Sequence, residues 1–346
     1  MTNRTIWIAD NVYSGHHKLY MDTLNELDNV NNISHELRFS SNRKNIKRYI
    51  KERRDFLKKS LNKINNGDVL HLLYLDNLYT IGPFSFGNKK VKIVGTLHHY
   101  PQTRKKMFLL KLFSKNLEYI IVHSKFIKQK LLENKIKNVI VIDYPVFNDF
   151  EVESKQVIRK EYNIDLNKLV VSILGGTRKE KGLDLLLEAF KYLDDSLKKT
   201  IKLNIVGKEE FFSKEYIQKK IRQYNIDCRL ELDFIANKDF VRNIVVSDLL
   251  VLPYKSDFTG NSGPMTEAVY RDIPIIGPDE GNLGFLINSF NLGYTFKSED
   301  PADLSFRIKK FSQENWQQSI ETKRYKKNLE PSLFLEKHKQ LYNKIL

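Results

Sequence analysis

The stretch Leu174-Gly175-Gly176-Thr177-Arg178-Lys179-Glu180-Lys181-Gly182 follows an apolar, β-rich run at 169–174 and opens a leucine-rich helical pattern at 182–193. Paired glycines let a backbone turn tightly and come close to a ligand. Arg178 and Lys181 place two cations above the carboxyl end of the expected strand, a setting that suits a diphosphate. Taken alone, the same residues also describe a solvated strand-to-helix turn with surface cations.

A second stretch, Tyr254-Lys255-Ser256-Asp257-Phe258-Thr259-Gly260-Asn261-Ser262-Gly263-Pro264-Met265-Thr266-Glu267-Ala268, follows another apolar strand pattern. Pro264 suits a first helical position, so Ser262 and Gly263 are expected at a helix N-terminus, where N–H groups and the helix dipole attract an anion. Glu267 falls one turn into that helix, able to accept hydrogen bonds from vicinal hydroxyls or merely to favour the helix start. Two such turns at strand ends of one domain argue for a nucleotide diphosphate.

Outward from these turns, strand and helix patterns alternate along the whole chain, the signature of βαβ units and parallel sheets. Strands are expected at 5–10, 35–39, 69–74, 91–97, 119–123 and 139–143, with helices at 42–65, 104–115 and 125–134. The polar segment 148–167, with little strand pattern beyond a short helical piece, reads as a linker. Strands then recur at 169–174, 201–206, 229–234, 249–253 and 274–277, with helices at 182–193, 211–224, 238–246, from Pro264, and onward to the C-terminus. In two doubly wound domains, ligands sit at the carboxyl ends of strands and favour the crevice between the domains.

The second half resembles the donor domain of retaining, family-4-type glycosyltransferases of the GT-B architecture (glycosyl transferases group 1). The resemblance is carried, in order, by 175–190, 232–236, 247–254 and 261–277. It implies an α/β chain of two Rossmann-like doubly wound domains facing across an interdomain cleft: 1–150 on the acceptor side, with a helix at 331–346 packing back on it, and 151–330 binding a nucleotide sugar. It implies that Arg178 and Lys181 hold the donor diphosphate and that Ser262 and Gly263 contact phosphate through their amides. Glu267 would bind the ribose, with the base near Phe234 and Ile235. Gly176, Thr177 and Asn261 complete the donor loops. Thr259 stands where the family often has a glutamate, offering a hydroxyl in place of a carboxylate.

In the first half, Asn11–Tyr13 and Gly15-His16-His17 follow the first strand, where such enzymes carry a loop facing donor and acceptor. Gly95-Thr96-Leu97-His98-His99 closes a later strand. By the resemblance His98 lies near the transferred sugar, although a strand-end histidine is more often structural.

The chain has 346 residues and a single cysteine, Cys228, which excludes an internal disulfide framework and a Cys-rich zinc site. No signal peptide or spanning segment is evident, and a cytoplasmic location is expected. Residues 1–150 hold 26 Lys/Arg against 13 Asp/Glu, so most of the net charge of +16 lies in the first half. Such asymmetry implies an anionic partner. Ten of those cations fall in the amphipathic pattern 43–63, with Ile46, Ile50, Leu57, Leu61 and Ile64 at helical spacing. Arg104, Lys105, Lys106 and Lys111 stand among Met107, Phe108, Leu110 and Phe113, a composition suited to lying on the inner face of an anionic membrane.

No nucleic-acid-reading motif is present, and no Asp-x-Asp or metal-ligand spacing occurs. A metal-independent transferase with no bound cofactor is expected, its partners a nucleotide sugar and a glycan or lipid-linked acceptor. A non-catalytic binding subunit and a sugar-nucleotide epimerase of the same fold remain as alternatives.

Overall fold

The computed structural model describes residues 4–33, 45–82, 84 and 91–346. The chain divides into two compact units, one running to Phe147 and including Glu330–Leu346, the other spanning Asn148–Leu329. The strand read at 35–39 and the first residues of the helix read at 42–65 lie outside the described residues.

The first unit contains β1 (Ile6–Ala9), α1 (Gly15–Leu24), β2 (Val30–Asn32), α2 (Ile46–Asn62), β3 (Val69–Leu72), β4 (Lys92–Thr96), α3 (Arg104–Ser114), β5 (Tyr119–Val122), α4 (Lys125–Glu133) and β6 (Val139–Val141). Its six strands are all parallel in the order β2-β1-β3-β4-β5-β6. Central strands such as Val69–Leu72 are buried throughout, as a sheet covered on both faces requires. Side chains of Asn45, Thr103 and Ser124 cap α2, α3 and α4 by accepting from backbone N–H groups.

The second unit contains α5 (Lys155–Glu161), β7 (Leu169–Leu174), α6 (Leu183–Ala189), α7 (Asp195–Thr200), β8 (Ile201–Val206), α8 (Lys214–Gln223), β9 (Cys228–Glu231), α9 (Asn237–Val245), β10 (Leu249–Val251), α10 (Gly263–Tyr270), β11 (Ile275–Pro278), α11 (Gly281–Phe290), β12 (Gly293–Phe296), α12 (Pro301–Gln313) and α13 (Ile320–Asn328). Its sheet order is β12-β11-β10-β7-β8-β9, again all parallel. The winding direction reverses between β7 and β10. Ligands of open α/β sheets bind beside the strand ends at such a reversal, and the two glycine-rich stretches follow these two strands.

The helix α14 (Pro331–Ile345) belongs to the first unit, where Phe334, Leu341, Tyr342 and Ile345 join a core with Ile6, Ile8, Tyr20 and Val94. Among the described residues, no helix is long and apolar enough to cross a membrane.

Three departures from the sequence reading have physical causes. The segment 148–167 contains the short helix expected there, α5, but is packed and not a free linker: the buried Arg159 donates to the Val246 carbonyl at 3.0 and 2.8 Å and to Asp248 at 2.5 Å. Its polar composition reflects one exposed helix face over a core of Ile158, Ile164, Val170 and Val246. The edge strands β2 and β12 are additional: in Val-Asn-Asn two strand-disfavoured asparagines outweigh Val30 and the segment is held by pairing with β1, while Gly-Tyr-Thr-Phe has only one buried residue. On α2, Ile46 is exposed and Arg53 turns inward, its guanidinium over the Tyr49 ring and Nε donating to the Asn77 carbonyl at 2.9 Å.

The first unit also encloses several histidines. His71 Nδ1 lies 2.6 Å from Tyr342 Oη and its Nε2 lies 2.8 Å from Thr96 Oγ1. Burial holds His71 well below the ordinary histidine range, His123 at about 4 and His338 at about 3. The folded state therefore refuses protons that the unfolded chain accepts below about pH 6.5. Stability is fully present above that value and falls with acid, by about 1.4 kcal/mol per pH unit for each such histidine, until the folded values are reached. The chain has two tryptophans, and Trp7 is anchored in this unit through its Nε1–H to Asp68 at 3.0 Å. In a Trp316→Phe background, the urea midpoint reported by Trp7 fluorescence should drop steeply from pH 7 to pH 5, and His338→Gln should flatten that slope; a pH-independent midpoint contradicts the account.

Candidate functional site

In the second unit, β7 ends in a turn built from glycine conformations. Gly175 has φ +109°, and a Cβ there would collide with the Lys181 ammonium. The chain then makes one tight helical turn at Lys179–Lys181 and reaches Gly182, which is left-handed at φ +67°. A Cβ on Gly182 would collide with the Pro253 carbonyl. The loop after β7 is thereby pressed against the loop after β10. The Lys255 N–H adds a bond to the Glu180 carbonyl at 2.9 Å, and Lys255 Nζ reaches Asp184 at 2.7 Å.

Lys181 is only 8% exposed. Its ammonium sits 5.7 Å from the centre of the Tyr254 ring, and among the described residues it pairs with no carboxylate. Burying a charge without a counter-ion is costly unless a ligand supplies one. Arg178 is different: its side chain is 47% exposed and its guanidinium lies 3.2 Å from Glu180 within the same loop.

Tyr254 joins the two stretches. Its ring meets Lys181, and its hydroxyl lies 3.1 Å from Ser262 Oγ. Ser262 caps α10 by accepting from the Met265 N–H at 3.3 Å, and Pro264 fills the first turn. Neither the Ser262 nor the Gly263 N–H has an acceptor among the described residues. A Cβ on Gly263 would meet open space. A buried cation and a helix N-terminus with unspent donors thus share one aromatic hinge, an arrangement suited to an anion.

The other residues of the donor reading divide by role. Thr177 is occupied by the fold: its N–H donates to the Lys208 carbonyl, its hydroxyl donates to the Phe212 carbonyl at 3.0 Å, and that oxygen accepts from the Glu210 N–H at 2.9 Å. Gly176 lies under the Glu210 carboxylate. Asn261 is held from α11 by Asn282, which also donates to the Gly260 carbonyl at 3.1 Å. Ile235 packs on the cluster containing Leu174, Tyr254 and Met265, whereas Phe234 beside it is 85% exposed. Thr259 is half-buried in the loop before α10.

Glu267 lies in α10 with its carboxylate largely enclosed. Its Oε1 accepts from Asn148 Nδ2 at 2.9 Å and its Oε2 pairs with Arg271 Nη1 at 2.6 Å. Arg271 stands four residues on, a helical spacing that could have signalled the pair, whereas Asn148 is 119 residues away and carries no local signal. Tyr254 was likewise visible only as an aromatic after a strand.

In the first unit, the loops after β1, β3 and β4 meet. Asp10 Oδ2 accepts from His17 Nδ1 at 2.7 Å, the His17 ring lies 4.7 Å from Tyr74, and Tyr74 stacks on His98 at 4.6 Å. Gly15 opens α1 at φ +55° with open space at its Cβ position. The Asp76 carboxylate accepts from the His98 N–H at 3.0 Å and from the His99 N–H at 2.7 Å, fixing the turn after β4. His98 Nε2 lies 2.8 Å from the Leu73 carbonyl, so that nitrogen carries the proton and Nδ1 is left as an acceptor. Burial, and then neighbouring His123, hold His98 well below its ordinary pKa, so the ring is neutral. Sequence reasoning singled out His98 but not Asp76, which sits in an irregular turn with no motif.

On α3, Arg104, Lys105 and Phe108 are exposed, Lys106 and Lys111 are half-buried, and Met107, Leu110 and Phe113 enter the core. Among the described residues no group of three or more His, Cys, Asp or Glu side chains is placed to hold a metal ion.

The join at Gly182 is testable on stability alone. Gly182→Ala adds left-handed strain of roughly 1–3 kcal/mol and a collision with Pro253, whereas Gly263→Ala, with open space, should change stability by less than about 0.5 kcal/mol. Equal urea midpoints for the two variants contradict the packing described.

Comparison with known proteins bears on the family and the fold. The family model for glycosyl transferases group 1 matches residues 154–330. An uncharacterized glycosyltransferase of Methanocaldococcus jannaschii is 25% identical over 242 residues, covering 68% of this chain and 59% of that protein. The chain thus spans somewhat under two thirds of that relative's length. Among solved structures, sucrose-phosphate synthase from Thermosynechococcus elongatus superposes with a TM-score of 0.77 at 14% identity, covering 99% of both chains. Anabaena HepE in complex with UDP and glucose superposes with a TM-score of 0.74 at 12% identity, covering 99% of this chain and 100% of that one. With half of its length matched by the family model and both sheets wound as in these structures, the chain is a GT-B protein belonging to the glycosyl transferases group 1 family.

Proposed function

We propose that this glycosyltransferase moves a sugar from a UDP- or GDP-sugar to a hydroxyl of a glycan or lipid-linked glycan, with retention at the anomeric carbon, in the assembly of a bacterial surface polysaccharide or glycoconjugate. The observation that carries the donor class is Lys181, a buried cation without a carboxylate partner among the described residues, linked through Tyr254 to the capped start of α10. HepE, of the same fold, is described in complex with UDP and glucose.

In this reading Lys181 and the Ser262 and Gly263 amides receive the diphosphate, Arg178 leaves Glu180 to join them, and Glu267 accepts from the ribose hydroxyls. Gly176 and Asn261 shape the approach, Thr177 holds the loop, and Ile235 offers an apolar surface to the base. The anomeric C–O bond to the diphosphate breaks while the acceptor oxygen bonds to the same carbon on the same face. The acceptor proton passes to the departing phosphate oxygen, and the new negative charge falls on groups already oriented toward it. One preorganised donor of this kind is worth about 3–4 kcal/mol. These groups do the work of neutralisation without a metal. His98, neutral with Nδ1 accepting, suits a hydroxyl of the transferred sugar, and the glycine start of α1 at Gly15 leaves room for it.

Lys181→Ala and Arg178→Ala should each lower transfer by a factor of roughly 100 or more with melting temperature little changed. Near wild-type turnover in the folded Lys181→Ala protein contradicts the assignment. Requirement for an added acceptor separates transfer from epimerisation, and the absence of donor consumption under all conditions points to a binding subunit.

We further propose that the exposed face of α3 brings the enzyme to the cytoplasmic membrane surface. Arg104 and Lys105 flank exposed Phe108, and each cation near an anionic leaflet contributes on the order of 1 kcal/mol. Co-sedimentation should occur with vesicles of anionic lipid, weaken in Arg104→Glu/Lys105→Glu, and be absent with neutral lipid; equal binding to both vesicle types contradicts it.

A further inference from the structure

Glu267 does not stand alone in α10. Its carboxylate is buried and is gripped from two sides by groups with no place in the donor reading: Asn148 Nδ2 donates to Oε1 at 2.9 Å, and Arg271 Nη1 pairs with Oε2 at 2.6 Å. Arg271 also donates through Nη2 to the Asn148 carbonyl, closing a three-residue ring. The neighbouring Tyr270 hydroxyl donates to Asp149 Oδ1 at 2.8 Å, so two successive residues where the chain enters the second unit are tied to the end of α10.

This ring has a consequence for chemistry. A glutamate side chain has three rotatable bonds, and a carboxylate that must meet a vicinal diol gains from being held in one orientation beforehand. Asn148 and Arg271 each engage a different oxygen, which fixes the plane of the carboxylate. The guanidinium offsets the charge of a carboxylate that is only 4% exposed as a residue, so the group can stay ionised and accept from neutral hydroxyls.

We infer that Asn148 and Arg271 are positioning residues that set the Glu267 carboxylate for the ribose hydroxyls of the donor nucleotide, and that ribose recognition is thereby fastened to the point where the chain enters the donor-binding unit. This rests on the reading of Glu267 as the ribose acceptor given above. Asn148 and Arg271 need not touch the nucleotide; they act through Glu267.

The test compares UDP and GDP with their 2′-deoxy counterparts by calorimetric titration of the full chain. Wild type should bind whichever ribonucleotide it prefers about tenfold more tightly than the deoxy form, the worth of roughly one good hydrogen bond. Asn148→Ala should weaken the ribonucleotide while leaving the deoxynucleotide nearly unchanged, reducing the ratio to about threefold or less. Arg271→Met should do the same, and Arg271→Lys, which keeps a cation, should restore part of it. Melting temperature checks the fold of each variant, and if Arg271→Met fails to fold, Asn148→Ala still decides the matter. A wild-type protein that binds ribo and deoxy forms equally removes the ribose role of Glu267 and this inference with it. A wild-type ratio that survives intact in folded Asn148→Ala overturns the inference alone. Loss of affinity for both nucleotides in equal measure would mark a structural role only and equally overturn it.

Discussion

A glycine pressed against a carbonyl is the constraint on which the second unit depends. Gly182 is left-handed, and its missing side chain is what lets the turn after β7 lie on Pro253 in the turn after β10. These strands are neighbours because the sheet reverses its winding between them. Once the turns touch, Lys181 is driven into a space bounded by Tyr254, and Tyr254 in turn fixes Ser262 at the start of α10. A charge that the fold would otherwise gain by exposing is kept inside, the kind of local cost that folds accept where a ligand binds.

The two units use the same device with different groups. Each is a parallel sheet whose reversal point brings together loops from strands that are neighbours in the sheet but not consecutive in the chain. In the second unit those loops present cations and amide donors. In the first they present imidazole and phenol rings, with Asp76 and Asp10 orienting backbone and ring. Cations and amide donors are chemistry suited to an anion, whereas histidine and tyrosine side chains offer hydrogen-bonding groups suited to hydroxyls. The basic excess of the first unit lies elsewhere, on the exposed faces of α2 and α3.

The sequence carried the architecture because buried parallel strands must read as apolar runs: 169–174 and 201–206 coincide with β7 and β8 to the residue. It carried less at the edges. β2 and β12 are only three and four residues long and lack the continuous apolar run of the central strands, although Tyr294, Thr295 and Phe296 favour strand, and both are defined by the partner beside them. The polar 148–167 segment looked like a linker because α5 shows solvent one face only and Arg159, a polar letter, is spent inside. The same limit governs the sites. Gly175, Lys181, Ser262 and Gly263 announce themselves through local spacing, since turns and helix starts are local chemistry. Arg271 meets Glu267 at the local i, i+4 helical spacing, but Asn148, Tyr254 and Asp76 act across the fold, and no spacing along the chain reveals which group they will meet.

The central claim is that both turns grip one pyrophosphate. A crystal structure of the protein grown with UDP or GDP examines it most directly. The account predicts the two phosphates between the Lys181 ammonium and the Ser262 and Gly263 amides, each within hydrogen-bonding distance, with Tyr254 behind them. A nucleotide bound with its phosphates contacting only one of the two turns, or bound away from the ends of β7 and β10, would contradict it.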